Sequence, residues 1–128
     1  MRLLIDSHVI VWWVDRDNLL SSDAHAAVAD PSNDLLISAA TIWEISIKTS
    51  LGKLSLSLAY RQWMDQAIQN LRAAILPVTV EYADVQAGLP QHHRDPFDRL
   101  IIAQSTVEQI PIVSSDPVLD DYGVNRLW

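Results

Sequence analysis

Short runs of apolar residues alternate along this chain with longer stretches whose apolar positions recur at helical spacing. The first run, Arg2-Leu3-Leu4-Ile5-Asp6, reads as a buried strand ending in a carboxylate, although period alone cannot separate so short a run from buried helix. Leu35-Leu36-Ile37, Ala74-Ile75-Leu76-Pro77-Val78 and Ile110 to Asp116 are the other strand candidates, and Val124 to Trp128 is a candidate edge strand. Helices are expected from Ser7 to Val14, from the cap at Ser21-Ser22-Asp23 to about Ala29, and from Ala39 to Ser50 behind the cap Ser38. Three more are expected over Tyr60–Leu71, Thr79–Ala87 and from Asp95 to about Glu108. Polar breaks at Asp15-Arg16-Asp17-Asn18 and Asp30-Pro31-Ser32-Asn33, a connector at Leu54–Leu58 and a short helical turn after Pro117 complete the pattern. Strands alternating with helices imply an α/β fold, with a central, mostly parallel sheet of four to five short strands covered on both faces. No repeat, low-complexity tract or linker divides residues 1–128, so one domain is expected.

Composition narrows the chemistry. The chain of 128 residues carries a net charge of −7 and no cysteine. Disulfides, zinc–thiolate sites and thiol catalysis are excluded, and a cytoplasmic protein is the natural setting for such a composition. A protein that coats a duplex needs positive charge to neutralise phosphates, so the acidity argues against a simple nucleic-acid-binding module. An enzyme whose carboxylates hold divalent cations escapes that argument, because the bound ion reverses the local charge. The apolar start contains Asp6 and His8 and lacks a basic leader or a small-residue cleavage site, so no signal peptide is expected. No apolar run approaches a membrane span.

The candidate site follows from where the acids fall. In an open parallel sheet, ligands bind beyond the carboxyl ends of the strands. Asp6 and Asp116 close two of the expected strands. A helix running antiparallel to the strands begins where strands end, so Asp98, in the first turn of the helix after Asp95-Pro96, arrives at the same edge. Glu44, about two turns into its helix, enters from the side. Carboxylates gathered in one cleft cannot all stay charged without a cation. Oxygen donors without cysteine suit magnesium or manganese.

Each acid also has a local role open to it. Asp6, Asp95 and Asp116 could cap helices, Asp98 could complement a helix dipole, and Glu44 could pair with Lys48 one turn on. His92 and His93 read as a loop pair, solvated or in contact with a substrate, and not as metal ligands. His8 reads as a helix-start residue. Ser7 and Ser115 flank proposed ligands, and Lys48, Lys53, Arg94 and Arg99 could form a phosphate-binding rim. Trp12, Trp13, Trp43 and Trp63 are candidates for core or interface. A haloacid-dehalogenase-type phosphatase would need an aspartate where His8 stands, and a receiver domain would need a late strand-end lysine.

Four segments, taken in order, carry a family resemblance: Leu3-Leu4-Ile5-Asp6-Ser7-His8, Trp43-Glu44-Ile45-Ser46-Ile47-Lys48, Asp95-Pro96-Phe97-Asp98-Arg99-Leu100-Ile101-Ile102-Ala103-Gln104 and Val113-Ser114-Ser115-Asp116. Together they resemble a PIN domain over essentially the whole chain, and specifically a VapC-type toxin of bacterial toxin–antitoxin modules. The resemblance implies a magnesium-dependent endoribonuclease, with manganese able to substitute, acting on single-stranded, looped or structured RNA. It also implies an inhibitory antitoxin partner and a homodimer. By motif, Asp6, Glu44, Asp98 and Asp116 match the four acidic positions, the last being the most variable in the family. Asp6 and Asp98 would then be direct metal ligands and Asp116 would complete the site, directly or through water. Glu44 would orient a metal-bound water or act as its base. The alternative is a non-catalytic interaction module with a PIN-like fold.

Overall fold

The computed structural model describes residues 1–128. Five strands, β1 (Arg2–Ile5), β2 (Asp34–Ser38), β3 (Ala74–Leu76), β4 (Ile112–Val113) and β5 (Arg126–Leu127), form one sheet in the order β3-β2-β1-β4-β5. Every pairing is parallel, as the alternation of strands and helices implies. Six α-helices accompany it: α1 (Ser7–Asp15), α2 (Ser22–Ala29), α3 (Ala39–Ser50), α4 (Tyr60–Leu71), α5 (Val80–Ala87) and α6 (Pro96–Glu108). Short 3-10 turns follow α1 at Asp17–Leu19 and β4 at Pro117–Tyr122.

Successive strand residues point to opposite faces, and the core divides accordingly. Leu3, Ile5, Leu35, Ile37 and Val113 pack with Val9 and Ile10 of α1, Ile45 of α3 and Trp63 and Met64 of α4. Leu4, Leu36, Leu76 and Ile112 pack with Tyr82 of α5 and Ile101 and Ile102 of α6 on the other side. Covering both faces explains why the strands read as unbroken apolar runs. No helix is long and apolar enough to cross a membrane.

The helix starts follow local chemistry. Ser21, Ser38, Thr79 and Asp95 each accept a backbone N–H of the following turn. Two strands are shorter than their apolar runs. Pro77 has no N–H to extend β3. In the fourth run only Ile112 and Val113 ladder, while Pro111 contributes its carbonyl to Leu4 N–H at 2.9 Å. Two helices end on left-handed residues that are not glycine, Arg72 at φ 50° and Gln109 at φ 55°.

The chain leaves β1 to build β2 and β3 on one side, then crosses back through α5 and α6 to lay β4 on the other. The order therefore reverses between β1 and β4, and the carboxyl ends of these two strands open onto the crevice where such sheets bind ligands. Register Ile5↔Val113 sets Asp6 and Ser114 side by side at that point.

Candidate metal centre and active site

Asp6 stands at the N-cap position of α1, yet its side chain makes no capping bond. It is 3% exposed, and Ser114 Oγ–H donates to its Oδ2 at 2.7 Å. The Ser7 hydroxyl lies 3.4 Å from Asp6 Oδ1 and 3.3 Å from Glu44 Oε2, bridging the two acids. A carboxyl group buried at the mouth of a sheet and not used as a cap is free of the local role the sequence offered it.

Glu44 is 2% exposed and faces the same crevice from α3. Lys48 Nζ, one turn on, donates to Glu44 Oε2 and lies 4.0 Å from Asp95 Oδ2. The local pairing expected of Glu44 is thus realised within the site. Burial raises the Glu44 carboxyl above its ordinary value, and the Lys48 hydrogen bond opposes this without cancelling it. Burial acts to lower the Lys48 ammonium, but its bond to Glu44 and the nearby charges of Glu44, Asp95 and Asp98 turn the net shift upward. Lys48 therefore stays charged as the one cation inside the cluster.

Asp98 arrives in the first turn of α6, aimed by Asp95, whose Oδ1 accepts the N–H groups of Phe97 at 2.9 Å and Asp98 at 3.4 Å. Its carboxyl is pushed up to about 8, first by burial and then by the charges of Asp6, Asp95 and Glu44, with Lys48 opposing. Asp116 has both roles open to it in the sequence. Its Oδ1 accepts Val118 N–H at 3.0 Å, capping the 3-10 turn, while its Oδ2 faces His93.

His93 stands differently from its expected place in a solvated or substrate-facing loop pair. Its Nε2 lies 3.1 Å from Asp98 Oδ2 and 2.9 Å from Asp116 Oδ2. The donor atoms of His93, Asp98 and Asp116 all fall within 4.8 Å of one another. Nothing in the sequence separates it from its neighbour His92, which is exposed and packs edge-on to Tyr122 at 5.1 Å.

The expected rim needs one correction. Arg99 is not part of it: the residue is 5% exposed, and its guanidinium donates to the carbonyls of Gln86, Leu89, Pro90 and His93. Lys48 and Lys53 share a cleft of about 240 Å³ with Ser7, His8 and Trp12, and Arg94 is exposed. The serine that touches an acid after β4 is Ser114, not Ser115. Of the tryptophans, Trp63 is fully buried, with Nε1 donating to the Asp15 carboxylate at 3.1 Å, whereas Trp43 is 63% exposed and packs edge-on to Phe97.

Asp98 and Asp116 gather at His93, and Asp6 and Glu44 connect to them through Ser7 and Ser114. Apart from His93 the donors are hard carboxylate oxygens, and burial, followed by the charges of Asp6, Asp95 and Glu44, raises Asp98, with Lys48 opposing. Such a set fits a divalent cation of the magnesium or manganese kind.

A five-stranded parallel sheet with acids gathered at its switch point is the architecture of the PIN domain, and the family's model matches residues 3–125. The chain belongs to the PIN domain family. It is 27% identical over 115 residues to Ribonuclease VapC22 of Mycobacterium tuberculosis, covering 89% of this chain and 86% of that protein. Two solved structures share its fold. VapBC2 from Rickettsia felis, bound to a DNA fragment from their promoter, superposes with a TM-score of 0.69 at 15% identity, covering 98% of this chain and 97% of that one. VapBC-1 from nontypeable Haemophilus influenzae superposes with a TM-score of 0.66 at 16% identity, covering 98% and 96%. The resemblance drawn from the four sequence segments is borne out, since the matched region contains all of them.

Proposed function

We propose that this chain is a magnesium-dependent endoribonuclease, the toxin of a toxin–antitoxin module, and that manganese can replace magnesium. The observation that carries the reading is the convergence of Asp6, Glu44, Asp98 and Asp116 on the switch point of the sheet, with Lys48 the single lysine or arginine paired within the cluster. Membership of the PIN family and the ribonuclease relative support it. A cytoplasmic enzyme, an inhibitory antitoxin and a homodimer belong to the same proposal.

Asp6 and Asp98 would hold the cation, with Asp116 a further ligand, directly or through water. When bound, the ion supplies charge stabilisation to the phosphoryl oxygens and lowers the pKa of a water. Glu44, with its carboxyl raised by burial, orients the attacking water and takes up its proton. Lys48 fixes the Glu44 side chain. Ser114 and Ser7 hold the Asp6 carboxylate in one orientation.

The test is cleavage of single-stranded RNA by the purified chain with magnesium and with a chelator, alongside Asp6→Ala. Magnesium-dependent cleavage, lost in a folded Asp6→Ala protein, is expected. Full activity in a folded Asp6→Ala protein would overturn the mechanism. A wild-type chain that neither binds metal nor cuts RNA would leave the non-catalytic interaction module.

A further inference from the structure

The loop from Gly88 to Asp95, which carries His93, is pinned from several sides. Arg99 reaches back from α6 and donates to the carbonyls of Pro90 at 2.8 Å, Leu89 at 3.1 Å and Gln86 at 3.0 Å, with His93 O at 3.4 Å. Tyr122 Oη accepts His93 N–H at 2.7 Å and donates its own hydrogen to Pro90 O at 2.9 Å. The buried guanidinium has no carboxylate partner; its charge is dispersed over backbone carbonyls that close the loop. A loop needing only to connect α5 to α6 does not call for so many bonds.

The ring itself is fixed at both nitrogens. Asp95 N–H donates to Nδ1 at 3.1 Å. A backbone amide can only donate, so Nδ1 presents its lone pair and the ring hydrogen sits on Nε2. That Nε2–H is hydrogen-bonded to Asp116 Oδ2 at 2.9 Å, and Asp98 Oδ2 lies 3.1 Å from the same nitrogen. A nitrogen carrying hydrogen has no lone pair for a metal. The arrangement that resembles a three-residue ligand set is therefore two carboxyl groups gathered at one ring N–H, which is bonded to Asp116 and close to Asp98.

We propose that His93 is a positioning residue of the metal centre: its fixed Nε2–H draws the Oδ2 atoms of Asp98 and Asp116 into one arrangement for the cation and is not itself a ligand. This rests on the reading of Asp98 and Asp116 as metal-site residues. The fixed ring N–H holds the two Oδ2 atoms near one point before the ion arrives. The bond crosses from the loop before α6 to the turn after β4, so it also sets the position of Asp116, which α6 does not otherwise hold. Outer partners of this kind typically change metal affinity by about 10- to 100-fold.

The experiment uses the full chain, manganese and no RNA. Manganese affinity is measured by calorimetry for wild type, His93→Ala and His93→Gln, with circular dichroism as the check on folding. The glutamine amide can offer an N–H near the position of Nε2 but is a poor nitrogen ligand. Electron spin-echo spectroscopy of manganese in the wild-type protein reads directly coordinated nitrogen. Expected are affinity lowered about 10-fold or more in His93→Ala, affinity within a few-fold of wild type in His93→Gln, and no coordinated-nitrogen signal. A coordinated nitrogen, wild-type affinity in folded His93→Ala, or an equal loss in both variants would overturn the proposal. If His93→Ala does not fold, His93→Gln and the wild-type spectrum still decide. Absence of manganese binding to the wild-type chain would overturn the metal site itself. Normal binding that ignores His93 would overturn this inference alone.

Discussion

Ser114 Oγ–H donates to Asp6 Oδ2 at 2.7 Å across the seam between β1 and β4, and both residues are buried. The pair joins the first strand of the chain to the last segment of the site. The same hydroxyl accepts Asp116 N–H at 3.1 Å, so one serine orients one acid by its side chain and another by its backbone.

Replacing that hydroxyl leaves a buried carboxylate oxygen without its donor. Ser114→Ala is expected to destabilise the protein by about 1–3 kcal/mol, the range for stranding a buried polar group. Urea unfolding with and without magnesium checks it, and the loss is expected to be smaller with the ion, which gives Asp6 Oδ2 another partner. A Ser114→Ala protein as stable and as tightly metal-binding as wild type would show that the bond orients nothing.

The Asp98 carboxyl makes stability depend on pH. In the metal-free folded protein it holds its proton up to about 8, against an ordinary value of 3.8. Between those values the folded state binds more protons than the unfolded state, so stability falls as pH rises from about 4 to about 8 and the full penalty stands above that. Glu44 shifts in the same direction. Asp98→Asn is expected to flatten this dependence and to exceed wild-type stability on the alkaline side in the absence of metal. Magnesium is expected to weaken the wild-type trend, adding roughly 2.7 kcal/mol when present at a hundred times its dissociation constant. Denaturant midpoints across pH, with and without the ion, measure all three effects.

Arg99→Leu removes a buried guanidinium that four carbonyls use as their donor. A cost of about 3 kcal/mol or more is expected from the unpaired acceptors. Amide exchange is expected to rise first in residues 86–95, ahead of the strands, because those carbonyls belong to the end of α5 and the loop after it. Uniform loosening of the whole sheet would contradict the local role.

The strands and the order of helices were legible because burial on both faces writes each strand as an apolar run, as at Leu3–Ile5 and Leu35–Ile37. Helix starts were legible because Ser21, Ser38 and Asp95 make bonds to the next turn, a purely local property. The places of Asp6 and Asp98 followed from strand ends and helix direction. What the sequence left open depends on register or on loops. Ser114 meets Asp6 only because Ile5 pairs with Val113, and nothing local distinguishes it from Ser115. His93 reaches Asp116 only when the last turn folds against the loop before α6. Arg99 reads as a candidate for a phosphate-binding rim because the carbonyls that bury it lie up to 13 residues earlier. Arg72 and Gln109 end helices in a conformation usually marked by glycine, so the stops at Leu71 and Glu108 were legible only from where the helical pattern ends and not from a terminating residue.

The most direct measurement is the rate of RNA cleavage as magnesium is titrated, for wild type and for Asp98→Asn, a variant of nearly identical shape. Wild-type activity is expected to rise to saturation with magnesium and vanish with a chelator. In Asp98→Asn the rate at saturating metal is expected to fall by roughly 1,000-fold, the equivalent of about 4 kcal/mol of lost charge stabilisation. Cleavage by the wild type that persists in the chelator, or an unchanged magnesium dependence in Asp98→Asn, would contradict a metal-dependent nuclease built on these carboxylates.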